Sequence, residues 1–143
     1  MLLHNESADE WFARLEPELI GGTLLFVHVH NDARASPLDR IVRPIASIVD
    51  ERGATHVVSE DDARRVGLAG EFPCRRLELG VDTPLAGIGF LAVILTALAA
   101  AGIAVNPFAG FHRDTLFVPA ARADEAIAVL RRLKEEARSR LGR

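Results

Sequence analysis

The sequence predicts an α+β fold: two modules of the βαββαβ kind packed together, with antiparallel sheets covered by helices on one face. Three observations carry that reading. Segments rich in β-branched and aromatic residues alternate with capped, amphipathic ones. The same order of elements recurs in residues 1–72 and 73–143, and in both halves a strand is followed by an acid and then Pro-Leu: Asp32 with Pro37-Leu38, Asp82 with Pro84-Leu85. Finally, 143 residues are too few for two independent cores, so neither half buries enough apolar surface without the other.

The elements follow in order. Ser7 and Glu10 have capping-box spacing ahead of WFARLEPEL, which predicts a helix over about 8–16 that Gly21-Gly22 ends. TLLFVHVH, 23–30, is a strand. NDARASP is a loop, with Pro37 opening a short helical turn through Ile41. PIASIVD and THVVS flank Glu51-Arg52-Gly53 as a hairpin, and Ser59 caps the short helix EDDARRVGL, which ends near Gly67.

In the second half CRRLELGV, 74–81, alternates as a half-exposed strand does. The loop DTPLAG leads into an apolar helix over about 86–101, stopped at Gly102, and IAVNPFAG is the next strand. Gly110 to Arg113 make a tight turn, and TLFVP returns with Leu116 and Val118 on the opposite face from Phe117. The last segment, 121–141, is a helix with Ala126, Ile127, Leu130, Leu133 and Ala137 as its buried stripe. Two split βαβ units of this kind would be ferredoxin-like.

Composition narrows the function. Apolar residues are 49% and charged residues 26%, a globular balance; the net charge of −3 offers no general footprint for nucleic acid or an anionic membrane. The single cysteine, Cys74, rules out an intramolecular disulfide framework and a multi-cysteine zinc site, and its place in a strand predicts a small buried group. No basic segment precedes an apolar one at the start, so a cytoplasmic protein is expected. Residues 85–105 approach the length of a membrane span, but their alanines and the stop at Gly102 predict a helix of about 16 residues, buried on two faces instead.

The candidate chemistry thins on inspection. His112-Arg113-Asp114 matches the start of a kinase catalytic loop, but the position that should hold asparagine is Pro119. His28 and His30 share a strand face and with Asp32, His56 or His112 could hold a metal, though such a pair is more often a polar face. No serine has a nucleophile-elbow context, and Gly87-Ile88-Gly89 lacks the third glycine of a dinucleotide loop. What remains is the loop 82–89. Gly87 and Gly89 leave backbone N–H groups at a helix start open to an anion, and Asp82 could accept from an ammonium group. Together they would suit a free amino acid, with Thr83, Pro84, Leu85 and Ile88 beside them; the alternative is that the glycines only permit close packing.

VDTPLAGIGFLAVILTALAAAGIAVNPFAGFHRDTLFV resembles the ACT domain, and more closely a group of small bacterial proteins built from two ACT-like modules. Leu85, Gly89, Gly102-Ile103, Ala104, Asn106, Ala109-Gly110, Asp114 and Leu116-Phe117-Val118 fall in register with that group. The N-terminal half is similar through LEPELIGGTLLFVHV and GATHVVSEDDARRVGL, and the whole resemblance spans about residues 12 to 135. Where the group has His-Ser-Ser this chain has Asp82-Thr83-Pro84, its Glu-Ala is Ala86-Gly87, and its two histidines around the aspartate are Arg113 and Thr115.

The resemblance implies a ferredoxin-like fold and a regulatory module that binds an amino acid without catalysis or cofactor. It adds Asn106, Phe111 and Asp114 to the candidate ligand contacts, with Asp114 either capping the turn or meeting the ligand. The partners expected are a small molecule, with a second copy or a separate regulated protein, and neither nucleic acid nor membrane. A structural or interaction module using the apolar helix, and a metal-binding protein using His28 and His30, are the alternatives.

Overall fold

The computed structural model describes residues 7–31 and 43–143. Its elements are α1 Ala8–Ala13, β1 Glu18–His30, β2 Ala46–Asp50, β3 Gly53–Ser59, α2 Glu60–Arg65, β4 Glu71–Glu78, α3 Phe90–Ala100, β5 Asn106–Ala109, β6 Asp114–Pro119 and α4 Ala123–Arg140, with a 3-10 turn Ala120–Arg122 before α4. Asp32, Pro37, Leu38 and the helical turn expected there lie outside the described residues.

The strands form one six-stranded antiparallel sheet in the order β2-β3-β1-β4-β6-β5, where the sequence led us to expect two. The reason is the length of β1. Its residues from Leu24 to His30 pair with β3, while Glu18 to Phe26 pair with β4, so one strand belongs to both halves.

That length also corrects the expected role of Gly21-Gly22. They end no helix: α1 has stopped at Arg14, ahead of Pro17, and the two glycines lie inside β1 where its register with β4 slips between Ile20 and Leu24. Gly21 has φ +70°, which glycine adopts without the Cβ penalty, so it sits readily in a bulge. A second slip separates Leu24 from Phe26, opposite Phe72, whose φ of +58° is a strained conformation for so bulky a residue. The capping box at Ser7 does not form; the Glu10 N–H donates 3.0 Å to the Ser7 carbonyl, and the hydroxyl makes no cap. Ser59 does cap α2, its Oγ accepting from the Asp62 N–H at 3.0 Å. Ser59→Ala is expected to cost about 1 kcal/mol of stability, read from the midpoint of urea unfolding.

All four helices lie on one face. Trp11, Phe12 and Leu15 around α1, Phe90, Ile94 and Leu98 of α3, and Ala126, Ile127, Leu130 and Ala137 of α4 close over Leu77, Leu116 and Val118. Val129 joins them, and Leu133 of the expected stripe is only partly buried. Ala63 of α2 packs on Val27 and Val58. Alternation sends Leu24, Val57, Cys74 and Phe117 to the other face, as expected for Phe117. There Phe26 meets Phe72 and Phe117 edge-on, with ring centroids 5.8 and 5.7 Å apart. Burial pushes the Cys74 thiol up to about 11, which keeps it an inert apolar group.

Two boundaries shift near the candidate loop. β4 starts and ends three residues early, because Gly80 with φ +72° turns the chain out of the strand while Leu79 O accepts from Glu16 N–H at 2.9 Å. α3 begins at Phe90, not near 86, because residues 84–87 make a turn closed by Gly87 N–H to Pro84 O at 2.9 Å and Gly89 sits at φ +91°. Among the described residues no helix is long and apolar enough to cross a membrane.

Candidate functional site

The loop between β4 and α3 is tied to the β5–β6 hairpin by three contacts. The Thr83 N–H donates to the His112 carbonyl at 3.0 Å, and the Thr83 hydroxyl donates to Asp114 Oδ2 at 3.2 Å. The Arg113 guanidinium holds Asp82 Oδ1 at 2.5 Å. The hairpin turn is itself closed by Gly110 N–H to Arg113 O at 3.0 Å, with Ala109 opposite Asp114.

Between loop, hairpin and helix start lies a cleft of about 130 Å³. Of the residues singled out in the sequence, Thr83, Pro84, Leu85, Gly87, Gly89 and Asp114 line it. Asp82, Ile88, Asn106 and Phe111 do not, although each is close in the chain to residues that do. The cleft is completed by Phe90, Leu91, Ala92, Ala109 and Gly110, which residue chemistry alone did not single out as ligand contacts. The signal for Phe90 to Ala92 would have been their place in the first turn of α3, where backbone N–H groups have no partner within the helix.

Charge is arranged asymmetrically here. Asp114 is 7% exposed and Thr83 6%, so the carboxylate sits in a dry corner. Burial raises its pKa above the ordinary carboxylate range, and the Thr83 hydroxyl offsets part of that rise. The N-terminus of α3, the positive end of that helix, lines the same cleft. Asp82, by contrast, is exposed and already engaged: the hydrogen bond from Arg113 lowers its pKa. Of the two aspartates, Asp114 lines the cleft and Asp82 does not. Asp114 accepts from Thr83 of the loop after β4 and lines the cleft, while the hairpin turn is closed by Gly110 and Arg113 instead.

The histidines are dispersed. His28 and His30 stand edge-to-face, centroids 4.6 Å apart, in a separate cleft of about 550 Å³ that Thr55 and Glu71 also line. His56 shares a hydrogen bond with Ser47, and the His112 ring lies against Phe111. Among the described residues no group of three or more His, Cys, Asp or Glu is arranged to hold a metal ion.

A mixed α+β fold with one antiparallel sheet and a ligand-sized cleft where a strand passes into a helix defines the class. Residues 71–132, from β4 into α4, match the ACT domain family. A Vibrio cholerae structure, described as a protein of unknown function and possible transport protein, is 28% identical, with a TM-score of 0.77 over 90% of this chain and 96% of that one. A protein from Agrobacterium tumefaciens is 14% identical with TM-score 0.67, covering 85% of this chain and 90% of its own. The ligand-free regulatory subunit of aspartate kinase from Thermus thermophilus is 16% identical with TM-score 0.61, covering 82% and 95%. At those two identities the likeness is one of fold. No curated protein matches the chain.

Proposed function

We propose that the chain is a regulatory protein of the ACT type that binds a free amino acid in the cleft between the loop after β4 and the β5–β6 hairpin, with no catalysis of its own. The observation that carries this is that a buried carboxylate, Asp114, and the positive N-terminal end of α3 line one small cleft. An amino acid's ammonium and carboxylate present the complementary pair. The matched family and the aspartate kinase regulatory subunit support the same role.

The division into two modules, 1–72 and 73–143, is part of the proposal. Reading outward from the central pair, β1-β3-β2 and β4-β6-β5 each run first, third, second strand of their half. On this reading each module takes the other's first strand as its own fourth. The protein would work in the cytoplasm on a separate regulated chain, or as a second copy of itself. A reading as an interaction module keeps one observation: α3 buries Phe90, Ile94 and Leu98, while Ala92, Val93, Ala99 and Ala100 on its outer side stay exposed.

The test is a thermal-shift panel of the free amino acids at millimolar concentration. A ligand at a hundredfold its Kd adds about 2.7 kcal/mol, a rise of roughly 5–15 °C for a domain of this size. Gly89→Leu is expected to abolish the shift, since φ +91° strains any L side chain and Gly89 itself lines the cleft. A panel without any shift overturns the proposal.

A further inference from the structure

Resting on that reading, the same site carries a statement about which amino acids it takes. We infer that the ligand has an apolar side chain larger than alanine's, which leaves the cleft over a rim formed by Leu85, Ile88 and Phe111. Eight large apolar side chains are exposed among the described residues, and three of them stand here: Leu85 at 65%, Ile88 at 89% and Phe111 at 77%. Leu85 lines the cleft itself; Ile88 lies between the lining residues Gly87 and Gly89, and Phe111 follows the lining Gly110. Scattered single apolar residues need no explanation, but three on the two segments that line one cleft offer a surface that gains by being covered.

Size and charge agree with that surface. A cleft of about 130 Å³ is close to a cavity of roughly 150 Å³ that accepts benzene, so it holds the ammonium, the carboxylate and the stem of a side chain. The rest of a longer side chain must leave over the rim. Asp114 is the charged side chain that lines the cleft, and the ammonium group uses it. Asp82 and Arg113, next in the chain to Thr83 and Asp114, are already paired with each other, so neither is left over for a charged ligand side chain. An apolar side chain needs neither and covers the rim.

The experiment is titration calorimetry of the full chain with leucine, isoleucine, methionine, phenylalanine, alanine, serine, lysine and aspartate, with sedimentation at the same protein concentration. The expected result is that the apolar set binds about tenfold or more tightly than alanine, as a few half-buried methylenes would give. Leu85→Ser, with an unchanged urea midpoint, should remove most of that preference. Equal affinity for alanine and leucine, or tighter binding of lysine or aspartate, overturns the inference and leaves the amino-acid site standing. So does a preference that survives Leu85→Ser while the oligomeric state changes, because the rim would then be covered by a second copy. Failure of every amino acid to bind overturns both readings.

Discussion

A Phe90→Ala chain is expected to lose about 3–5 kcal/mol of unfolding free energy, the range for deleting a buried aromatic ring. Phe90 is 4% exposed, stacks on Phe12 with centroids 5.2 Å apart, and meets Trp11 edge-on at 6.0 Å. The ring therefore fastens α1 to the first turn of α3. Its loss leaves a cavity that Trp11 and Phe12 cannot both fill, since each is held by the rest of the core. Urea unfolding should show a midpoint lowered by about 1–3 M at an unchanged slope. Phe111→Ala, which removes a ring exposed at 77%, should stay within about 0.5 kcal/mol of the parent. A small effect at Phe90 would mean that α1 does not hold the start of α3. The backbone N–H groups facing the cleft would then have no rigid support.

Asp114→Asn should move stability and binding in opposite directions. Because burial raises the folded pKa of Asp114, the native state binds more protons than the unfolded chain between the ordinary carboxylate pKa and the raised one. The sign follows: Asp114 penalises folding least at acid pH, and stability is lost as pH rises through the folded pKa. The asparagine chain has no such loss and keeps an acceptor for the Thr83 hydroxyl, so without ligand it should be the more stable at neutral pH. Its advantage should shrink toward pH 3. Its ligand-induced thermal shift should fall sharply, since an amide carries no charge to pair with an ammonium group. A neutral-pH stability below the parent's would show that the carboxylate is wanted by the fold rather than by the ligand.

Among the described residues most helix and strand types were legible because burial follows the two simple periods. Alternation placed Leu116 and Val118 against the helices and Phe117 on the other face, and the α4 stripe fell on its core side. What misled was local chemistry overruled by tertiary pairing. Gly21-Gly22 reads as a stop, yet β4 lies alongside and a bulge absorbs both residues. Residues 86–89 read as the start of an apolar helix, but the left-handed Gly89 delays that start to Phe90.

At the site, the loop was readable from its glycines. The partnership of Asp82 with Arg113 was not, because 31 residues separate them and only the fold brings them together. The same distance separates Thr83 from Asp114. Which aspartate lines the cleft is thus decided by the hairpin's approach to the loop, which no local pattern encodes.

The sharing of β1 between the two halves sets the order of events in folding. Glu18 pairs with Glu78, and Asp9 and Glu16 near α1 bond to Arg140 and Lys134 of α4. A chain emerging from the ribosome therefore exposes β1, long and apolar, well before β4 and α4 exist to cover it. Closure of such distant contacts is slow, since loop entropy is lost before the contacts repay it. The segment 71–132 made alone would lack Glu18 to Phe26, leaving β4 with a bare edge. Until β4 is made, then, β3 can cover only one edge of β1, and the interval for which the other edge stays bare is set by how far apart the two central strands lie along the chain.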